Sequence, residues 1–120
     1  MTRQSGAAAV EVALVLPLIL TLLLAVAEVA VVARTQLELV NGAREGARMA
    51  AVSPEPADAV EAVQAVLGEL AADARISVTR PHVVGESAVV VITLRHRLAP
   101  FLFGGTGVEL RAQAAMRVER

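Results

Sequence analysis

The chain has 120 residues, a formal net charge of −1 and a hydrophobic content of 56%, above the roughly 45–50% usual for soluble domains. From Arg34 onward ten arginines stand against eight glutamates and two aspartates, a balance that argues against a nucleic-acid footprint. Cysteine is absent, which excludes a disulfide framework and a thiolate zinc site.

The apolar excess sits at the start. From Gly6 to Ala33 every residue is small or apolar except Thr21, Glu11 and Glu28. The uncharged part, residues 12–27, is 16 residues long, about 24 Å as a helix at ~1.5 Å per residue. A spanning helix needs about 20 residues, so this one crosses a bilayer only with Glu11 and Glu28 near opposite interfaces. Pro17 removes one backbone hydrogen bond and favours a kink, which membrane helices tolerate better than soluble ones. Two other readings stand beside the spanning helix. Ala25-Val26-Ala27 before Glu28 offers a small-x-small site for signal peptidase, which would release a soluble module. A buried core helix is the third, but too little chain remains to cover a segment apolar on all faces. Charge bias does not fix the orientation: Arg3 precedes the segment while Arg34, Arg44 and Arg48 follow it, a count that taken alone favours the N-terminus outside.

Residues 34–52 continue as an amphipathic stalk, with Leu37, Val40, Ala43, Ala47 and Ala50 at helical spacing. Arg34–Glu38 and Glu45–Arg48 are placed to pair across one turn. Gly42, Gly46 and Ala50 stand four apart and form a small-residue stripe for close packing, either against another helix of the same class or against this chain's own sheet. Ser53-Pro54-Glu55-Pro56 breaks the helix; Ser53 is the expected cap and Pro54 the expected first-turn residue of the next. That second helix is predicted over 55–73, with Val60, Val63, Leu67, Leu70 and Ala74 on its apolar face. Three strands follow at about 75–80, 88–98 and 108–119, the last two pairing antiparallel under the helices. The fold class is therefore α+β. Between the last strands, PFLFGG carries both phenylalanines. Phe101, Leu102 and Phe103 either form a contact surface, for a neighbouring subunit or the membrane interface, or tuck under the sheet edge.

Catalytic chemistry has no candidate set. His82 follows a proline in a connection, and His96 falls on an apolar strand face as a satisfied core residue. No metal-spaced cluster or phosphate loop is present, and no nucleophile–base arrangement. Glu11 and Glu28 lie 17 residues apart, about 26 Å along a helix, too far to act on one bond. No cofactor is implied.

Three stretches carry a family resemblance: GAAAVEVALVLPLILTLLLAVAEVA, then LVNGAREGARMAA, then VVVITLRHRLAPFLFGG with VELRAQAAMRVER. The start resembles type IV pilin precursors, and the whole is similar to the TadE-like family, minor pilins or pseudopilins of the Tad (Flp) pilus system. In Val12 the chain departs from the aromatic that usually follows the motif glutamate. The resemblance implies a leader over residues 1–6, a membrane helix over 7–33 and an extracytoplasmic domain over 34–120, with the N-terminus inside the cytoplasmic membrane. It implies cleavage between Gly6 and Ala7 by a prepilin peptidase, which puts Glu11 at the fifth mature position as a docking carboxylate for the new amine. Glu28 is assigned to assembly as well, paired with Arg34 near the outer interface. Other Tad pilins or pseudopilins, the inner-membrane assembly platform and membrane lipid are the implied partners; nucleic acid is not among them. Three rivals remain: a soluble binding module released after Ala27, a simple membrane-anchored accessory protein, and an anchored enzyme whose site carries no recognisable motif.

Overall fold

The computed structural model describes residues 2–119, so Met1 of the expected leader and Arg120 lie outside it. One helix, α1 (Thr2–Val52), runs without a break from the leader through the stalk. At ~1.5 Å per residue its 51 residues reach about 76 Å, nearly the whole 82 Å long axis of the molecule. Pro17 lies inside it; one turn on, the Thr21 hydroxyl donates to the Pro17 carbonyl at 2.8 Å. None of the most apolar part of α1 is buried by the rest of the chain, and by length and composition the helix is apolar enough to cross a membrane.

The C-terminal third of α1 is the spine of a small domain. Helix α2 (Pro56–Leu67) packs on it. A three-stranded antiparallel sheet follows, β1 (Ala74–Thr79), β2 (Ser87–Arg97) and β3 (Gly107–Arg117), in spatial order β1-β2-β3. Each strand falls within a residue or two of its expected bounds. Alternation sets the faces: Val90, Ile92 and Leu94 point inward from β2, Leu110 and Ala112 from β3. Opposite them the open face carries Arg75, Arg95, Arg97, Arg111 and Arg117, all exposed. The core closes on Leu39, Ala43, Ala47, Val63 and Leu67, with a smaller cluster of Ala50, Ala59, Ala88 and Val118 above it.

Four local expectations need correction. Leu37 is 65% exposed while Leu39 is fully buried: the face aimed at the sheet runs through Leu39, Ala43, Ala47 and Ala50, and Leu37 stands about 200° from Leu39 around the helix. The second helix stops at Leu67 and not at 73, because Gly68 turns the chain at φ 57, ψ −122 and a 3-10 stretch, Gly68–Ala72, leads to β1. Ser53 does not cap α2. Glu55 is the N-cap residue and Pro56 its first-turn proline, while the Ser53 oxygen accepts from the Glu55 N–H at 3.3 Å and its hydroxyl donates to Asp58. The fourth, at Glu28, belongs with the site below.

The end of α1 shows why it terminates where it does. Helix C-termini leave four carbonyls without intrahelical partners. Here Ser53 N–H takes the Met49 carbonyl at 2.8 Å, the Arg80 guanidinium takes Ala50 at 2.8 Å, and Glu119 N–H takes Ala51 at 2.9 Å. Gln36 adds a bond of 2.9 Å to the Arg111 carbonyl of β3. The helix is thereby stitched to one end of the sheet and to the middle of β3.

Candidate functional site

The residues singled out in the sequence fall in three places along α1. The first is the free end. Gly6, Ala7 and Glu11 are all exposed, and a side chain at Gly6 would meet open space. Ala7 and Glu11 are four apart, so they sit one above the other on the same helix face. The Glu11 carboxylate forms no hydrogen bond or ion pair with the described residues. A group at Ala7 and the Glu11 carboxylate therefore stand one helical turn apart on one face.

The second is Glu28. The expected partner, Arg34, is six residues on and about 240° around the helix, so the two side chains diverge; Arg34 instead bonds Glu38 at 3.2 Å. Glu28 is met from across the fold by His96, whose Nε2 lies 3.0 Å from the Glu28 Oε1. Both side chains are about one-fifth exposed. The imidazole N–H donates to the carboxylate, and the pair becomes ionic when the ring is protonated. Around it is an apolar groove formed by Ala25, Val29 and Val32 of α1 with Leu98 and Phe103 of the β2–β3 connection and Val108 of β3. The sequence places His96 on an apolar strand face without naming its partner. The available signal was that two polar groups on otherwise apolar surfaces, Glu28 and His96, each needed one.

The third is the glycine stripe. A Cβ on Gly46 would stand 2.5 Å from Val63 Cγ2 and 3.2 Å from Val90 Cγ1; on Gly42 it would stand 3.2 Å from Ile92 Cδ1 and from Leu67 Cδ2. Ala50 is fully buried with Ala59 and Ala88. Of the two occupants open to this stripe, the chain's own α2 and β2 fill it. Beside it, on the exposed surface, Arg48 Nε bonds Glu45 at 3.0 Å. That bond holds the Glu45 carboxyl below its ordinary value and raises Arg48.

The β2–β3 connection is a short helical turn, α3 (Pro100–Phe103), ended by Gly104 and Gly105 in left-handed backbone. Phe101 is 74% and Phe103 40% exposed, so neither is tucked away under the sheet edge. Among the described residues no group of three histidine, aspartate or glutamate side chains is close enough to hold a metal ion.

Comparison with known families matches one part of this architecture. No curated protein and no solved structure matches the chain. The family model described as TadE-like protein matches residues 6–48, a span that begins at the expected cleavage glycine and takes in Glu11, Glu28, Gly42 and Gly46. Over the greater part of its first helix, then, this chain is similar to the TadE-like proteins, as the residues of that helix suggest.

Proposed function

We propose that this chain is a TadE-like minor pilin or pseudopilin that takes part in assembling a Tad-type pilus. Helix α1 spans the cytoplasmic membrane with the N-terminus inside and the domain outside. A prepilin peptidase cuts between Gly6 and Ala7, and Glu11 receives the new amine of its own or a neighbouring helix. Other Tad pilins and the inner-membrane assembly platform are the partners. The role is structural, with no reaction catalysed.

One observation carries this reading: the family match starts at Gly6, and five residues later an exposed carboxylate, without a partner among the described residues, stands on an apolar helix. A carboxylate left in hydrocarbon costs roughly 3 kcal/mol on insertion scales, so it calls for a cation, and a freshly cut N-terminus one turn away supplies one. Intact-mass measurement on protein recovered from native membranes tests it. The expected product begins at Ala7 and stays with the membrane. A product beginning at Glu28, or an uncut chain, contradicts the processing step. Once Ala7 is seen, Glu11→Gln should leave the cut intact and abolish incorporation into pili, read by immunoblot of sheared filaments.

A further inference from the structure

The β2–β3 connection hangs beside α1 at the level of Ala25, Val29 and Val32. If the helix spans a bilayer, as proposed above and as this inference requires, that level is fixed by length. Counting from Glu11 at one edge, about 20 residues at ~1.5 Å cover the ~30 Å hydrocarbon layer and end near Val31. The tip of the connection therefore lies within the outer part of the bilayer and not above it.

Its chemistry suits that position. Residues 98–107 hold no charged side chain. Phe101, at 74% exposure, and Phe103, at 40%, turn outward with Val108, at 37%. Backbone polarity, the usual obstacle to burying a loop in lipid, is largely satisfied within the loop. Leu98 N–H bonds the Thr106 carbonyl, Leu102 and Phe103 N–H bond Ala99, Gly104 N–H bonds Pro100, and Thr106 bonds Phe103 through both its N–H and its hydroxyl. Exposed Arg95 and Arg97 stand just behind the tip, on stems long enough to reach lipid phosphates. The opposite end of the sheet differs: its connection, residues 80–86, exposes Val83 and Val84 but mixes them with Arg80, His82 and Glu86.

We infer that the 98–107 tip is a second membrane contact, inserting Phe101 and Phe103 among lipid acyl chains beside α1 and holding the domain down on the bilayer surface. The Glu28–His96 bond then lies under this tip, where the domain shields an acid that would otherwise face lipid.

The chain contains no tryptophan, so a single introduced indole reports its own surroundings. Phe101→Trp, Val83→Trp and Leu18→Trp are made in the full chain and reconstituted into phosphatidylcholine–phosphatidylglycerol vesicles with acyl chains brominated near the headgroup or near the terminal methyl. Each variant is first checked for a cooperative melt by circular dichroism. The expected result is blue-shifted F101W emission losing most of its intensity to the shallow bromines, deep-bromine quenching of L18W, and water-like, unquenched V83W. Quenched L18W with unquenched F101W overturns the membrane contact and leaves the spanning helix standing. Blue-shifted F101W that resists bromine and depends on protein-to-lipid ratio makes a second copy of the chain the occupant, which also overturns it. If neither L18W nor F101W is quenched, the spanning helix itself fails and the contact goes with it.

Discussion

At Gly46 one hydrogen atom decides the packing of the domain. A methyl there meets Val63 Cγ2 at 2.5 Å, and overpacking of this kind costs about 1–3 kcal/mol. That outweighs the ~1 kcal/mol alanine gains over glycine in a helix. At Gly42 the nearest atoms are the ends of Ile92 and Leu67 at 3.2 Å, which yield more easily. Gly46→Ala should therefore lower the thermal midpoint of the full chain in detergent, while Gly42→Ala leaves it nearly unchanged. The Glu28–His96 bond makes a second residue-scale expectation. Removing either partner strands a largely buried polar group, at about 1–3 kcal/mol. His96→Ala and Glu28→Ala should each destabilise, and the double variant should be little worse than either. Glu45 gives the pH case. Its carboxyl is depressed by the bond from Arg48, so its small contribution is present above the unfolded carboxyl's titration and is lost as pH falls through the folded one. In Arg48→Gln the Glu45 titration followed by carbon NMR should move up toward the ordinary range. On so exposed a pair, the melt at neutral pH should not change.

Among the elements, the strands were the most legible. Alternation of Val90, Ile92 and Leu94 against Thr93 and Arg95 leaves little freedom of register, because a slip of one residue would turn the apolar set to solvent. Helix faces are less legible. In the stalk both Leu37 and Leu39 fit a helical stripe, and only the position of the sheet chooses Leu39. Apolar spacing runs on through Leu70 and suggests a longer α2, whereas the backbone is redirected at Gly68. Here φ 57 with ψ −122 is territory that only glycine enters readily, and forcing another residue there costs of order 1–3 kcal/mol. Gly68→Ala should accordingly lower the denaturant midpoint, more than an alanine at exposed Glu69 does. For Glu28 the need of a partner is legible and the pairing is not: His96 lies 68 positions away in sequence, and no local pattern encodes a contact made by tertiary docking. Gly6, Ala7 and Glu11 are the reverse case. Their pattern is wholly local and visible in the letters, and all three are exposed among the described residues.

Taken whole, the protein is a rod with a domain built around one end. The domain first touches α1 near Ala25 and Glu28, and the helix before that contributes nothing to the core. A chain beginning at Ala25 should therefore keep its far-UV spectrum and a single cooperative melt; a broad, non-cooperative transition would show that the apolar half is needed for folding. Between Leu18 and Asn41 the helix has no glycine or proline, the residues at which helices most readily bend. The two glycines beyond that stretch are gripped by α2 and β2, and the last carbonyls are tied down by Ser53, Arg80 and Glu119. The consequence is mechanical. The joints at which such a rod would flex lie inside the clamp, so a pull or twist applied to the sheet travels along an unjointed shaft toward Pro17, and the domain and the shaft move as one lever.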